Sequence, residues 1–194
     1  ACWPRLAPLA HLLGAEAILL AKDSGGGPFD ECLSGVWWQL AAALRASGSS
    51  APLPQGCCTT TVELRGEADV SHDFAQADAQ AVFAFLQHCG ALACAVPPTI
   101  PAPRCDATPL AGSETLNTPV PGVVVYATAV GERVKAGDLV AEVIDPVNPT
   151  IHRVCAGVDG VFYARVRDRY ALAGAEIGKI AGATPFRTGA LLGA

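Results

Sequence analysis

The stretch "AVGERVKAGDLVAEV" (129–143) decides how this chain is read, because it returns in altered form as "RDRYALAGAEIGKIA" (167–181). Each runs a short segment into a glycine-centred turn and then into a second, mostly apolar segment. Alternating apolar residues mark strands, and a glycine between two of them marks a turn. The unit is therefore strand, tight turn, strand, used twice. "GVVVYATAV" (122–130) and "VCAGVDGVFYARV" (154–166) supply further strands, so the second half is all-β.

Working outward, "VPPTIPAPRCDATPLAGSETLNTPVPG" (96–122) holds seven prolines. Proline fixes φ and removes a donor, which predicts a stiff, extended linker or edge strand. Upstream, helix and strand alternate. "LAPLAHLLGAEAILLA" (6–21) opens as a short helix and ends strand-like, and "KDSGGGPFDE" (22–31) is a loop leading Asp30 and Glu31 into a helix. "SGVWWQLAAALRASG" (34–48) is a helix in which Trp37 and Trp38 read as packing residues. "CCTTTVELRGEADV" (57–70) reads as a β-branched strand, and "DFAQADAQAVFAFLQHCG" (73–90) as a helix with Asp73 at its N-cap and Gly90 as its stop. Such alternation predicts an α/β layer. The expected division is residues 1–96, a proline-rich linker 97–118, and a β-domain with tail 119–194.

Composition narrows the function. The net charge of −5, with no basic patch to offset it, excludes nucleic acid as a partner. No apolar run reaches the ~18 residues that span a bilayer, so no membrane partner is expected. A small-molecule substrate remains, and homo-oligomerisation stays open. The eight cysteines form no CxxC pair; they read as buried free thiols in a reducing cytoplasm, not as a disulfide framework or zinc knuckle. The chain opens on Ala1 and contains no methionine. That suggests a processed or truncated piece, or methionines that the sequence does not record.

Two charges stand out in a chain with 16% charged residues: Glu63 and Arg65, two apart at a strand end and followed by Gly66. On residues alone they are an ion pair stabilising that end. The histidines give no metal pattern. His11 lies in an apolar helix, His72 and His88 at helix ends and His152 in a loop, and no His-x-x-Glu occurs.

The second half resembles the biotinyl/lipoyl-like β-sandwich, with "VGERVKAGDLVAEV" as its specific part. A carrier of that kind presents a modified lysine at the hairpin between its halves. Here that hairpin is "DPVNPTIHRV" (145–154), which has no lysine; Lys22, Lys135 and Lys179 lie elsewhere. The resemblance implies a carrier fold used structurally.

The order "TVELRG", helix, proline-rich linker and carrier-like domain resembles the C-terminal portion of the succinylglutamate desuccinylase/aspartoacylase family of carboxypeptidase-like zinc hydrolases. "GGGPFDE" followed by "WW", and "RTGALLGA" at the end, agree with it. The resemblance implies an α/β fold: part of a carboxypeptidase-like mixed sheet with helices, then the all-β biotinyl/lipoyl-like sandwich. It implies a zinc-dependent deacylase acting on a small N-acyl amino acid or related amide or ester. Glu63 would be the general acid/base, its pKa raised in an apolar crevice. Arg65, on the same face by strand alternation, would bind a substrate carboxylate or hold Glu63. The zinc ligands are expected upstream of Ala1, with none in this chain. "RVRDRY" (165–170) reads as a solvated strand face; the alternative is that Arg165, Arg167 or Tyr170 reaches over the cleft from the β-domain. The other reading is a non-catalytic fragment or scaffolding module.

Overall fold

The computed structural model describes residues 2–192. It is a mixed α/β structure with three helices and antiparallel sheets, dividing into two compact units. Of the described residues, the first holds 2–15, 22–104 and 192; the second holds 16–21 and 105–191.

The first unit is helical. Helix α1 (Trp3–Leu13) ends on Gly14, whose φ of 64° turns the chain out of the helix. Helix α2 (Phe29–Ala46) starts earlier than the apolar spacing suggests, with Asp30 and Glu31 in its first turn, where acids favour the positive end of the helix dipole. Trp37 packs its ring against Gly56, and Trp38 against Gly35. Helix α3 (His72–His88) is capped by Ser71, whose hydroxyl accepts from the Phe74 N–H at 3.1 Å. The cap is thus Ser71 and not Asp73, which lies inside the first turn; Gly90 follows with φ 75°.

One expectation fails here. Residues 57–64 form no strand, and the described residues of this unit contain no β-ladder. A β-branched run favours extension, but a strand needs a neighbour for its N–H and C=O groups. This one lies along α2 instead and is held by side chains. Thr59 N–H donates to Ser34 Oγ (2.8 Å), Thr59 Oγ1 donates to the Asp30 carbonyl (2.5 Å), and Gln55 Nε2 donates to the carbonyls of Ser34 and Cys57.

The second unit begins with β1 (Ile18–Leu20), paired in parallel with β2 (Ala107–Pro109). Eight strands follow in two four-stranded antiparallel sheets: β3 (Ser113–Asn117), β4 (Gly122–Tyr126), β5 (Arg133–Val134), β6 (Leu139–Ile144), β7 (Ile151–Cys155), β8 (Gly160–Arg165), β9 (Tyr170–Ala171) and β10 (Glu176–Gly182). The sheet orders are β3-β10-β8-β5 and β7-β6-β4-β9. They expose the repeat. β4-β5-β6 and β8-β9-β10 are equivalent, and each half gives its short strand to the other's sheet: Arg133 pairs with Val161, and Ala171 with Gly122. The inward residues of both sheets form one cluster around Phe162, Val140, Val143, Ile177 and Ile180, all fully buried.

The repeated turns match in detail. Asp138 N–H donates to the Lys135 carbonyl at 2.9 Å and Ala175 N–H to that of Leu172 at 3.1 Å, with Gly137 and Gly174 at φ 95° and 78° between them. A positive φ at the third turn residue is what makes glycine favoured there. The proline-rich stretch is shorter as a connector than expected, since β2 and β3 fall inside 97–118.

Candidate functional site

Arg65 is the sole non-glycine residue with positive φ (64°) among those described. The left-handed region is costly for a residue with a Cβ and persists where neighbours hold it. α3 does the holding. Phe74 and Asp78, four residues apart, share one helix face. Arg65 Nη1 and Nη2 donate to Asp78 Oδ2 and Oδ1 at 2.7 and 3.0 Å, a two-pronged pair, and its guanidinium lies 4.2 Å from the centre of the Phe74 ring. The Arg65 hydrogen bond holds the Asp78 carboxyl below its ordinary pKa.

Sequence reasoning missed this partner. It placed Arg65 beside Glu63 by strand alternation, but there is no strand, and the left-handed turn sends the guanidinium to α3. The Phe-x-x-x-Asp spacing inside a helix was the available signal.

Glu63 is exposed, not set in an apolar crevice. Its neighbours Val62 and Leu64 line a shallow groove of about 510 Å³, with Leu9 and Leu13 of α1 and Val82 and Phe83 of α3 on the other walls. The groove surface is almost wholly apolar, and Asp78 is its charged member. The arrangement therefore sets one accessible carboxylate between two groove residues, next to a fixed arginine.

The glycine loop closes on itself. Both Glu31 carboxylate oxygens accept from Ser24 N–H at 3.0 Å, and Asp23 Oδ1 accepts from Gly25 N–H at 3.0 Å. Acids of the loop and of the first turn of α2 thus take these loop donors, while the helix start at Pro28 has no side-chain cap. The histidines stay apart: His11 in the last turn of α1, His72 and His88 at the ends of α3, and His152 in β7, not a loop. Among the described residues no three His, Cys, Asp or Glu side chains are placed to hold a metal ion. Among the described residues no helix is long and apolar enough to cross a membrane.

The cysteines differ from expectation. Cys105 is buried, but Cys32, Cys89 and Cys155 are exposed and Cys2, Cys57, Cys58 and Cys94 half-buried. In the β unit, Arg165 and Arg169 stack over the Tyr126 ring at 5.5 and 4.9 Å, while the Tyr126 hydroxyl donates to the Ile177 carbonyl. Burial pushes the Tyr126 phenol up. Arg167 pairs with its neighbour Asp168, and Tyr170 is exposed in β9.

No family model and no curated protein matches the chain. Solved structures do. A protein of Shewanella amazonensis SB2B assigned to the succinylglutamate desuccinylase/aspartoacylase family matches at 24% identity, over 89% of this chain and 47% of that one, with a TM-score of 0.73. A second, from Shewanella frigidimarina NCIMB 400, matches at 23% identity over 81% and 42%, TM-score 0.69. The ectoine utilization protein EutE (DoeB) of Ruegeria pomeroyi matches at 18% over 95% and 52%, TM-score 0.64. The chain thus shares its fold with these proteins and spans about half their length.

Proposed function

We propose that these residues form the C-terminal part of the catalytic domain, and the following β-domain, of a deacylase of the succinylglutamate desuccinylase/aspartoacylase kind. Its substrate class is a small N-acyl amino acid or related amide or ester. The observation that carries the reading is the accessible Glu63, set on "TVELRG" two residues before the left-handed Arg65, in a chain with this fold.

In this role Glu63 takes a proton from the attacking water and gives one to the leaving amine, work that suits a single accessible carboxylate. Arg65 is committed to Asp78, so binding a substrate carboxylate means exchanging one carboxylate for another in the same fork. Otherwise Arg65 positions the turn after Glu63. Zinc chemistry is the family's expectation, but the described residues do not fit a zinc ion. The reading requires its ligands elsewhere in the protein that carries this chain. The β unit is assigned to the biotinyl/lipoyl-like sandwich. Its 145–150 hairpin, pinned by Asp145 Oδ1 accepting from Val147 and Asn148 N–H, offers no lysine for a swinging arm. A cytoplasmic setting fits the cysteines as thiols.

The second reading is a non-catalytic scaffold. Hydrolysis of a panel of N-succinyl and N-acetyl amino acids, followed by amine release with zinc supplied, separates them. Turnover of at least one member is expected; no turnover on any member leaves the scaffold.

A further inference from the structure

The β7-β6-β4-β9 sheet turns its second face away from the core. Val124, Val143 and Val154 point inward and are buried, so strand alternation turns Val123, Glu142, Ile144, Ile151 and Arg153 outward. The register sets these residues in rows. Tyr170 lies opposite Val123, Val123 opposite Ile144, and Ile144 opposite Ile151, so one apolar row crosses all four strands. Its ends are more than half exposed, Tyr170 at 58% and Ile151 at 59%. A solvated face of an antiparallel sheet ordinarily carries polar residues at such positions. The next row holds Val125, Glu142 and Arg153, with the two opposite charges directly across the β6–β7 ladder. Among the described residues neither charge takes part in an ion pair.

We propose that this face, along β6 and β7, is the interface of a homodimer, and that its occupant is the same face of a second copy. The charges select that occupant. A two-fold axis lying in the interface, parallel to β6 and β7 and midway between them, exchanges the two strands. It sets Glu142 over the second copy's Arg153, and Arg153 over the second copy's Glu142, so two residues per chain make two ion pairs. The same rotation lays Ile144 against the second copy's Ile151. A two-fold running across the strands along the charged row would set each charge against its own kind, so the pattern admits one orientation. A partner with a uniformly acidic or basic face would leave one charge of the pair opposed. With strands about 4.8 Å apart, the face is roughly 19 Å wide and, over five residues, about 17 Å long. That footprint is small beside the about 800 Å² that each partner of a standard interface buries. The dimer is therefore weak and depends on concentration. The inference holds whether or not the protein is a deacylase.

The test is sedimentation equilibrium of the protein carrying this chain, across the micromolar range, with a thermal melt beside each variant. The wild type should pass from monomer to dimer mass as concentration rises. Glu142→Arg alone and Arg153→Glu alone each set like charges opposite one another and should weaken the dimer by about tenfold or more. The two reversals together restore opposite charges and should restore the dimer. Ile151→Lys should abolish it with an unchanged melting temperature, because the residue is exposed. Val36→Lys, on α2, should leave it in place. A wild type that stays monomeric throughout overturns the proposal. So does a double reversal that binds no tighter than the single ones, which decides the matter even where Ile151→Lys fails to fold. A dimer lost in Val36→Lys and kept in Ile151→Lys lies on α2 and overturns it as well.

Discussion

Arg65 carries two opposed effects. Its left-handed backbone costs roughly 1–2 kcal/mol for a residue with a Cβ, and the Asp78 fork and Phe74 ring offset that cost. Substitution separates them. Arg65→Gly loses the fork but relieves the backbone; Arg65→Ala loses the fork and keeps the strain. Denaturant titration should therefore find Arg65→Gly more stable than Arg65→Ala by about 1 kcal/mol. Equal midpoints would place no strain at residue 65. Because Asp78 titrates below its ordinary value when folded, its contribution is present above the unfolded carboxyl pKa of about 3.9 and is lost as pH falls through the lowered value. Asp78→Asn should flatten the stability–pH curve below about pH 4 and leave it unchanged near neutrality in shape. This pair was not legible in the sequence: Glu63 and Arg65 were visible as neighbours, but which carboxylate takes the guanidinium depends on a turn that only tertiary structure sets.

At the scale of elements, the turns of the β repeat were legible because their chemistry is local. Lys-Ala-Gly-Asp and Leu-Ala-Gly-Ala build the same turn with the same hydrogen bond. The 57–64 segment was not, because its β-branched residues specify extension and leave the partner unspecified. Glycines in the two settings make different predictions. A Cβ at Gly137 meets nothing within 4 Å, so Gly137→Ala costs only the left-handed backbone, about 1 kcal/mol. A Cβ at Gly160 collides with the Ala181 carbonyl across the β8–β10 ladder. Gly160→Ala should cost about 2–3 kcal/mol by overpacking, and a reversed order in thermal melts would contradict the register described.

For the whole molecule, the two units differ in how they meet water. The β unit closes on a core of fully buried side chains, whereas α2 exposes Phe29, Leu33, Val36 and Leu40 along one helical stripe. Such a stripe promotes association. Val36→Lys should lower light scattering at equal concentration without lowering the melting temperature; a lower melting temperature would mean the stripe is packed. Amides of β6, β8 and β10 should exchange slowest and those of 57–70 among the fastest, since the first lie in ladders and the second in none. The hydrophobic pattern foretold three helices and a two-fold β repeat, but not the division after Arg104, because β2 and β3 sit in a stretch whose prolines read as linker. The central claim rests on Glu63. Its most direct test is turnover of an N-acyl amino acid by the protein carrying this chain, with Glu63→Gln beside the wild type at matched zinc content. The account predicts a loss of about 10²-fold or more with metal content unchanged; wild-type turnover in Glu63→Gln would contradict it.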